Sequence, residues 1–197
     1  TKSAVATGAD LVGYSGFSAS NYLEQPHNND LDFGTGDFSI MGWAKSADLS
    51  GTNRICGRAD SANASRISLY CSNSRVWFYT NTGSSFVYLS QAISNDRWHH
   101  IVATRTAGQM RISLNGVQVS TAATVYNLTS TLSAPFLLGA ETFDLGVTID
   151  APFNGSLALW RISATAPTVA QIKTIYEAEK PLFQENAQAT LYGTSDA

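Results

Sequence analysis

Charge is scarce in this sequence: Asp, Glu, Lys and Arg make up 14% of 197 residues, and the formal net charge is only −3. No cluster of Lys and Arg exists to follow a phosphate backbone, which removes the electrostatic case for nucleic acid as a partner. No apolar run approaches the ~20 residues that a membrane-spanning helix requires, so membrane insertion is not expected. No secretory leader is legible, and a chain that starts at Thr1 reads as a piece of something longer. Cysteine is almost missing. Cys56 and Cys71 each close a short apolar run on either side of a loop rich in Asp, Ser and Asn. If those runs are neighbouring hairpin strands, the two fall out of register. That favours free, partly buried thiols over a disulfide, and it leaves the redox compartment open. The signatures Gly-x-Ser-x-Gly, His-Glu-x-x-His and the phosphate-binding loop are also missing, which takes away the commonest catalytic readings.

Small polar residues and rings are plentiful instead. Ser, Thr, Asn and Gly are abundant and aromatics reach 11%, a composition suited to short strands joined by polar turns. The length is that of one all-β domain, large enough to bury roughly 70% of its unfolded surface. Strands are predicted at 38–45, 54–57, 66–71, 75–80, 86–91, 98–105, 110–114, 117–121, 135–139 and 156–163. Residues 1–30 read as irregular. The clearest hairpin joins Met110, Ile112 and Leu114, which alternate with polar residues, to Val117 and Val119 through Asn115-Gly116. One helix is predicted over 168–180, opened by Thr168 with Gln171 as its capping partner and stopped by Pro181. The tail 184–197 is polar apart from Leu191-Tyr192 and reads as a linker to a further segment.

Five segments carry a family resemblance in the right order. They are Phe38-Ser-Ile-Met-Gly-Trp43, Trp98-His-His-Ile-Val-Ala-Thr104, Leu114-Asn-Gly116, Phe136-Leu-Leu-Gly139 and Phe153-Asn-Gly-Ser-Leu-Ala-Leu-Trp-Arg-Ile162. Together they resemble the laminin-G-like and pentraxin group of concanavalin A-like lectin domains, across roughly residues 20–183. The resemblance implies an all-β, concanavalin A-like jelly-roll sandwich of two antiparallel sheets with one short C-terminal helix, over residues 1–183. It also implies a domain that binds glycans or proteins and catalyses nothing. The run Arg161 to Ala187 resembles the version of the domain found in bacteriophage tail and tail-fibre proteins. That version implies a virion-surface or extracellular setting, a glycan or cell-surface receptor as partner, neighbouring domains of a larger chain, and a homo-oligomer as one assembly.

Three sites are candidates. The first is calcium. Glu141 and Asp144 stand after Leu138-Gly139 as the acids of the pentraxin calcium loop do, and Asp60 and Asn63 resemble the Asp-Asn pair of an earlier loop. Calcium takes 6–8 oxygens at about 2.3–2.6 Å, so two acidic loops are a reasonable donor set. A solvated acidic loop is the alternative. The second is an aromatic platform. Strand alternation puts Trp77 and Tyr79 on one face, with Tyr70 as a neighbour, and rings of this kind stack on the apolar faces of sugars. Alternatively, the rings lie under the N-terminal segment or the helix. The third is hydrolysis. It needs two carboxyls roughly 5–10 Å apart, and the paired-acid strand of the related glucanases is missing, which leaves only Glu141 with Asp144. His99 and His100 are adjacent on a strand, point to opposite faces and read as structural. The expected function is recognition of a cell-surface glycan by a non-enzymatic module. A structural or protein-interaction module that decorates or oligomerises a fibre is the alternative.

Overall fold

The computed structural model describes residues 1–61, 65–123, 127–130, 132–145 and 147–188. In chain order the strands are β1 (Lys2–Ala4), β2 (Val12–Ser15), β3 (Leu23–Gln25), β4 (Phe38–Ser46), β5 (Asn53–Arg58), β6 (Arg66–Ser72) and β7 (Arg75–Asn81). Then come β8 (Phe86–Ala92), β9 (His99–Thr106), β10 (Gln109–Leu114), β11 (Val117–Ala123), β12 (Phe136–Leu138), β13 (Glu141–Thr142), β14 (Ile149–Asp150), β15 (Gly155–Ser163) and the helix α1 (Val169–Glu179). A seven-stranded sheet runs β1-β2-β15-β4-β9-β10-β11, and a six-stranded sheet runs β3-β12-β5-β6-β7-β8. All ladders within the two sheets are antiparallel.

The sheets face each other across one apolar core. Ile40 and Ala44 of β4, Ile101 and Ala103 of β9, and Ile112 of β10 meet Ile55, Ile67, Leu69, Val76 and Phe78 from the opposite sheet. Period-2 alternation sends the intervening side chains to the outer faces. On the seven-stranded sheet that outer face is also covered. Ile172 and Ile175 of α1 seal Met41 and Val102, while Tyr176, Val5 and Ala9 join the cluster around Trp43 and Ala158. β4 and β9 are therefore buried on both faces, which is why consecutive apolar residues run through 40–44 and 101–103 without alternation.

The helix forms where its caps require. The Thr168 side chain accepts from the Gln171 amide and Gln171 returns the bond, a complete capping box. Asn115 and Gly116 take φ of 50° and 79°, the two positive values that a type I′ hairpin demands. Gly116 also abuts α1, since a Cβ there would lie 2.9 Å from the Tyr176 ring.

The structure corrects the reading of residues 1–30 as irregular: β1 and β2 extend one sheet and β3 edges the other. These strands are three or four residues long and mostly exposed, too short for alternation to register. The start of the expected tail is pinned. The Asn186 amide donates to Thr7 and the Ala187 carbonyl accepts from Asp10, while residues 189–197 lie outside the described residues. Cys56 and Cys71 are both free and buried, and burial pushes the Cys71 thiol up to about 12.

Candidate functional site

α1 and the N-terminal stretch around Val5 and Ala9 pack on the seven-stranded sheet and leave the outer face of the six-stranded sheet uncovered. The register of β5 to β8 writes the layout of the free face. One row runs Arg54, Tyr70, Trp77, Ser90. The next runs Gly57, Ser68, Tyr79, Tyr88, and a third joins Arg66 to Asn81 and Phe86. The first two rows align because Ile55 is the extra residue of a bulge in β5: Arg54 pairs with Tyr70, but Cys56 already pairs with Leu69. The bulge turns Arg54 and Gly57 to the same side.

The rings make a continuous surface. Tyr70 stacks with Trp77 at a centroid distance of 6.2 Å and an interplanar angle of 8°. Trp77 meets Tyr88 edge-on at 6.3 Å, Tyr88 stacks with Tyr79 at 4.4 Å, and Phe86 closes the row at 5.5 Å from Tyr88. Phe86 and Tyr88 are the most open, at 62% and 50% exposure. Desolvation and neighbouring phenols push the Tyr70 and Tyr88 hydroxyls above their ordinary range, so both rings present neutral O–H groups at physiological pH.

A buried carboxylate organises the floor. Glu141 is fully buried and accepts from Arg66 Nε at 2.8 Å, Arg66 Nη2 at 3.0 Å and Ser68 Oγ at 2.7 Å. Arg54 Nε lies 3.4 Å from the same carboxylate and donates to Asp150 at 3.0 Å. Burial pulls the Arg66 guanidinium down, but the hydrogen bond and charge of Glu141 outweigh it and hold Arg66 above its usual value. Each guanidinium is also flanked by rings. Arg54 lies over Tyr70 at 4.8 Å and Phe143 at 5.4 Å, and Arg66 over Tyr79 at 4.8 Å and Phe143 at 4.4 Å. Gly57 makes room for this, because a Cβ there would stand 2.9 Å from the Glu141 carboxyl carbon. Thr52, Arg54, Arg66, Tyr70, Tyr79 and Tyr88 line a depression of about 170 Å³.

The three aromatic candidates Trp77, Tyr79 and Tyr70 thus share one uncovered face. The alternative in which the helix or N-terminal segment covers them does not describe this chain. Tyr79 is itself largely buried and accepts from Asn81, so it props the face more than it presents it. Asn63 lies outside the described residues.

The acids expected to hold calcium are not gathered. Among the described residues no three of His, Cys, Asp and Glu stand together as a metal site. Glu141 sits in β13 and points inward to its arginines. A cation there would face two guanidinium groups in place of further oxygens. Asp144 is exposed and braces its own loop, accepting from the Thr148 amide at 2.7 Å and from Thr142 Oγ1 at 2.8 Å. The Thr148 and Thr142 hydrogen bonds hold its carboxyl below the usual range. Asp60 is buried and accepts from Ser130, beside the group formed by Arg58, Asp32 and His27. Among the described residues Glu141, Asp144 and Asp60 do not form a calcium donor set, and Glu141 and Asp144 do not fit an acid pair open to substrate. His99 and His100 point apart: His99 faces Asn115 and Ser94, while His100 is buried beside Trp43 and Tyr176.

Sequence reasoning missed Arg54, Arg66, Phe86, Tyr88 and Phe143. Three of them carried a signal. Arg66 lies two strand steps from Tyr70, and Phe86 and Tyr88 alternate with Val87 and Leu89. Arg54 needs the bulge, and Phe143 arrives on a loop that no periodicity places.

Comparison with known proteins agrees with this architecture. Residues 17–173 match the family model for the concanavalin A-like lectin/glucanases superfamily. The chain belongs to that superfamily. No curated protein matches it. Among solved structures, domain 4 of the extracellular arabinanase AbnA from Geobacillus stearothermophilus, in complex with arabinotriose, is similar at 19% identity and a TM-score of 0.66, over 84% of this chain and 76% of that one. The CBM40 domain of the Ruminococcus gnavus IT-sialidase, bound to α2,3-sialyllactose, aligns at 14% identity and 0.63, over 80% and 96%. The SAP-like pentraxin of Limulus polyphemus aligns at 17% and 0.62, over 83% and 80%. At such identities the likeness speaks for the fold.

Proposed function

We propose that this superfamily member is a non-catalytic, extracellular glycan-recognition module whose binding surface is the outer face of the six-stranded sheet. The carrying observation is the uncovered row of Tyr70, Trp77, Tyr88 and Phe86, edged by arginines whose geometry is set before any ligand arrives. Sugars offer apolar C–H faces to such rings, and the phenol and guanidinium groups reach their hydroxyls. The arabinotriose and sialyllactose complexes of two similar domains support a saccharide as ligand. Recognition on this face needs no calcium, because its carboxylate is already neutralised by Arg66 and Arg54. The run from Arg161 to Ala187, with its likeness to bacteriophage tail domains, supports a phage tail protein as the setting.

A glycan array followed by titration calorimetry tests this, using wild type, Trp77→Ala and Tyr88→Ala. Losing one stacking ring removes about 0.5–1.5 kcal/mol beyond its contact area, so affinity falls by roughly threefold to tenfold or more while the melting midpoint stays close to wild type. Unchanged affinity in both variants refutes the face as the site. The second reading is a protein-interaction surface. It rests on β8, an edge strand with two exposed rings, and predicts a concentration-dependent oligomer that Tyr88→Ala dissolves.

A further inference from the structure

The arginines of the free face are used unevenly. Arg54 spends one nitrogen, Nε, on both Asp150 and Glu141. Its two Nη atoms, the flat end of the fork, have no partner among the described residues. Arg66 turns its Nε and Nη2 edge to Glu141 and keeps Nη1 unpaired. Both arginines line the depression that Thr52, Tyr70, Tyr79 and Tyr88 complete.

We propose that this depression is a carboxylate subsite, in which the acid group of an acidic sugar, such as a uronic or sialic acid, binds end-on to the Nη pair of Arg54 with Arg66 Nη1 beside it. The inference rests on the glycan reading and sharpens it to a ligand class. A guanidinium fork matches the two oxygens of a carboxylate in spacing and plane, which a lone hydroxyl cannot do. The rings on each side hold the forks in place, so little side-chain entropy is lost on binding. The volume of about 170 Å³ admits one end group and leaves the rest of a glycan to run over Trp77, Tyr88 and Phe86.

Electrostatics sets the expected behaviour. Two arginines face one buried carboxylate and Asp150 at the rim, whose side chain is 37% exposed. The site is close to neutral overall. Selectivity therefore comes from bidentate geometry, with a modest salt dependence, and Asp150 opposes an incoming anion.

The test uses titration calorimetry with α2,3-sialyllactose and a glucuronic-acid-terminated trisaccharide, each beside its own methyl ester, which removes the charge and adds one methyl group. The expected result is that at least one acid binds tenfold or more tightly than its ester. Arg54→Lys removes most of this difference, weakening acid binding far more than ester binding, and Asp150→Asn enlarges it. Each variant is checked for an unchanged unfolding transition, and Asp150→Asn stands as the second probe should Arg54→Lys unfold. Equal binding of acid and ester, or a preference that survives in Arg54→Lys and does not grow in Asp150→Asn, overturns the subsite while glycan binding stands. If neither the acids, the esters nor any neutral glycan of the array binds, the glycan reading falls and the subsite with it.

Discussion

Replacing Glu141 by Gln removes one charge and almost no volume from the floor of the aromatic face, so its cost isolates the electrostatics. In the native protein the carboxylate is fully buried, receives two hydrogen bonds from Arg66 and one from Ser68, and has Arg54 at 3.4 Å. An amide keeps one acceptor oxygen and turns an N–H₂ group toward a guanidinium that also only donates. Two bonds change from charge-assisted to weak or repulsive, and Arg66 is left buried without a counter-charge. Breaking one side of such a pair costs about 3–5 kcal/mol, a large part of the ~5–15 kcal/mol that holds a domain together. For a chain of this size each kcal/mol moves the midpoint by roughly 2–4 °C, so a fall on the order of 10 °C is expected by calorimetry and a matching loss in urea. Glu141→Gln combined with Arg66→Met should recover much of the loss, because the second change removes the stranded charge. A single variant that loses less than about 1 kcal/mol refutes the assignment of Glu141 as the counter-charge of this face.

Three further outcomes are expected. Burial, with Arg161 adding to it, brings the His100 imidazole down to about 4 from 6.5. Glu179 lies 3.9 Å away, but Trp43 and Arg161 already occupy its oxygens, and Tyr176 offers only its ring. The folded state therefore resists a proton that the unfolded chain accepts. Stability is full above pH ~6.5, declines by roughly 3 kcal/mol as pH falls toward 4, and levels off below that. A midpoint-versus-pH series on wild type and His100→Phe checks this; the same slope in both refutes it. Thr168→Ala breaks the capping box and should cost about 1 kcal/mol in chemical denaturation, while Thr174→Ala, on the exposed side of α1, should cost much less. Cys56 and Cys71 should stay unreactive to a thiol reagent at pH 8 until the protein is unfolded, since burial raises both thiols; rapid native labelling would contradict their placement.

Ten of the strands, the hairpin turn and the helix with its capping box were legible because each rests on local periodicity or on one residue's backbone preference. Asn115-Gly116 needs no tertiary context to favour positive φ, and Thr168 with Gln171 cap whatever they precede. Alternation likewise put Trp77 and Tyr79 on one face. It could not say whether that face was covered. That depended on where a helix distant in sequence came to rest, and Ile172 docks on Met41 and Val102 of the opposite sheet. The role of Glu141 was illegible for a related reason. Glu141 in sequence is an acid in an acidic loop, and only the approach of Arg66 and Arg54 from other strands, past the missing side chain of Gly57, makes it an internal counter-ion. By itself the sequence determined the elements and which side chains share a face, since these follow from bonds and neighbours a few residues apart. Tertiary structure alone decided which face stayed open and which charges met, because both depend on contacts between segments that the chain brings together only on folding.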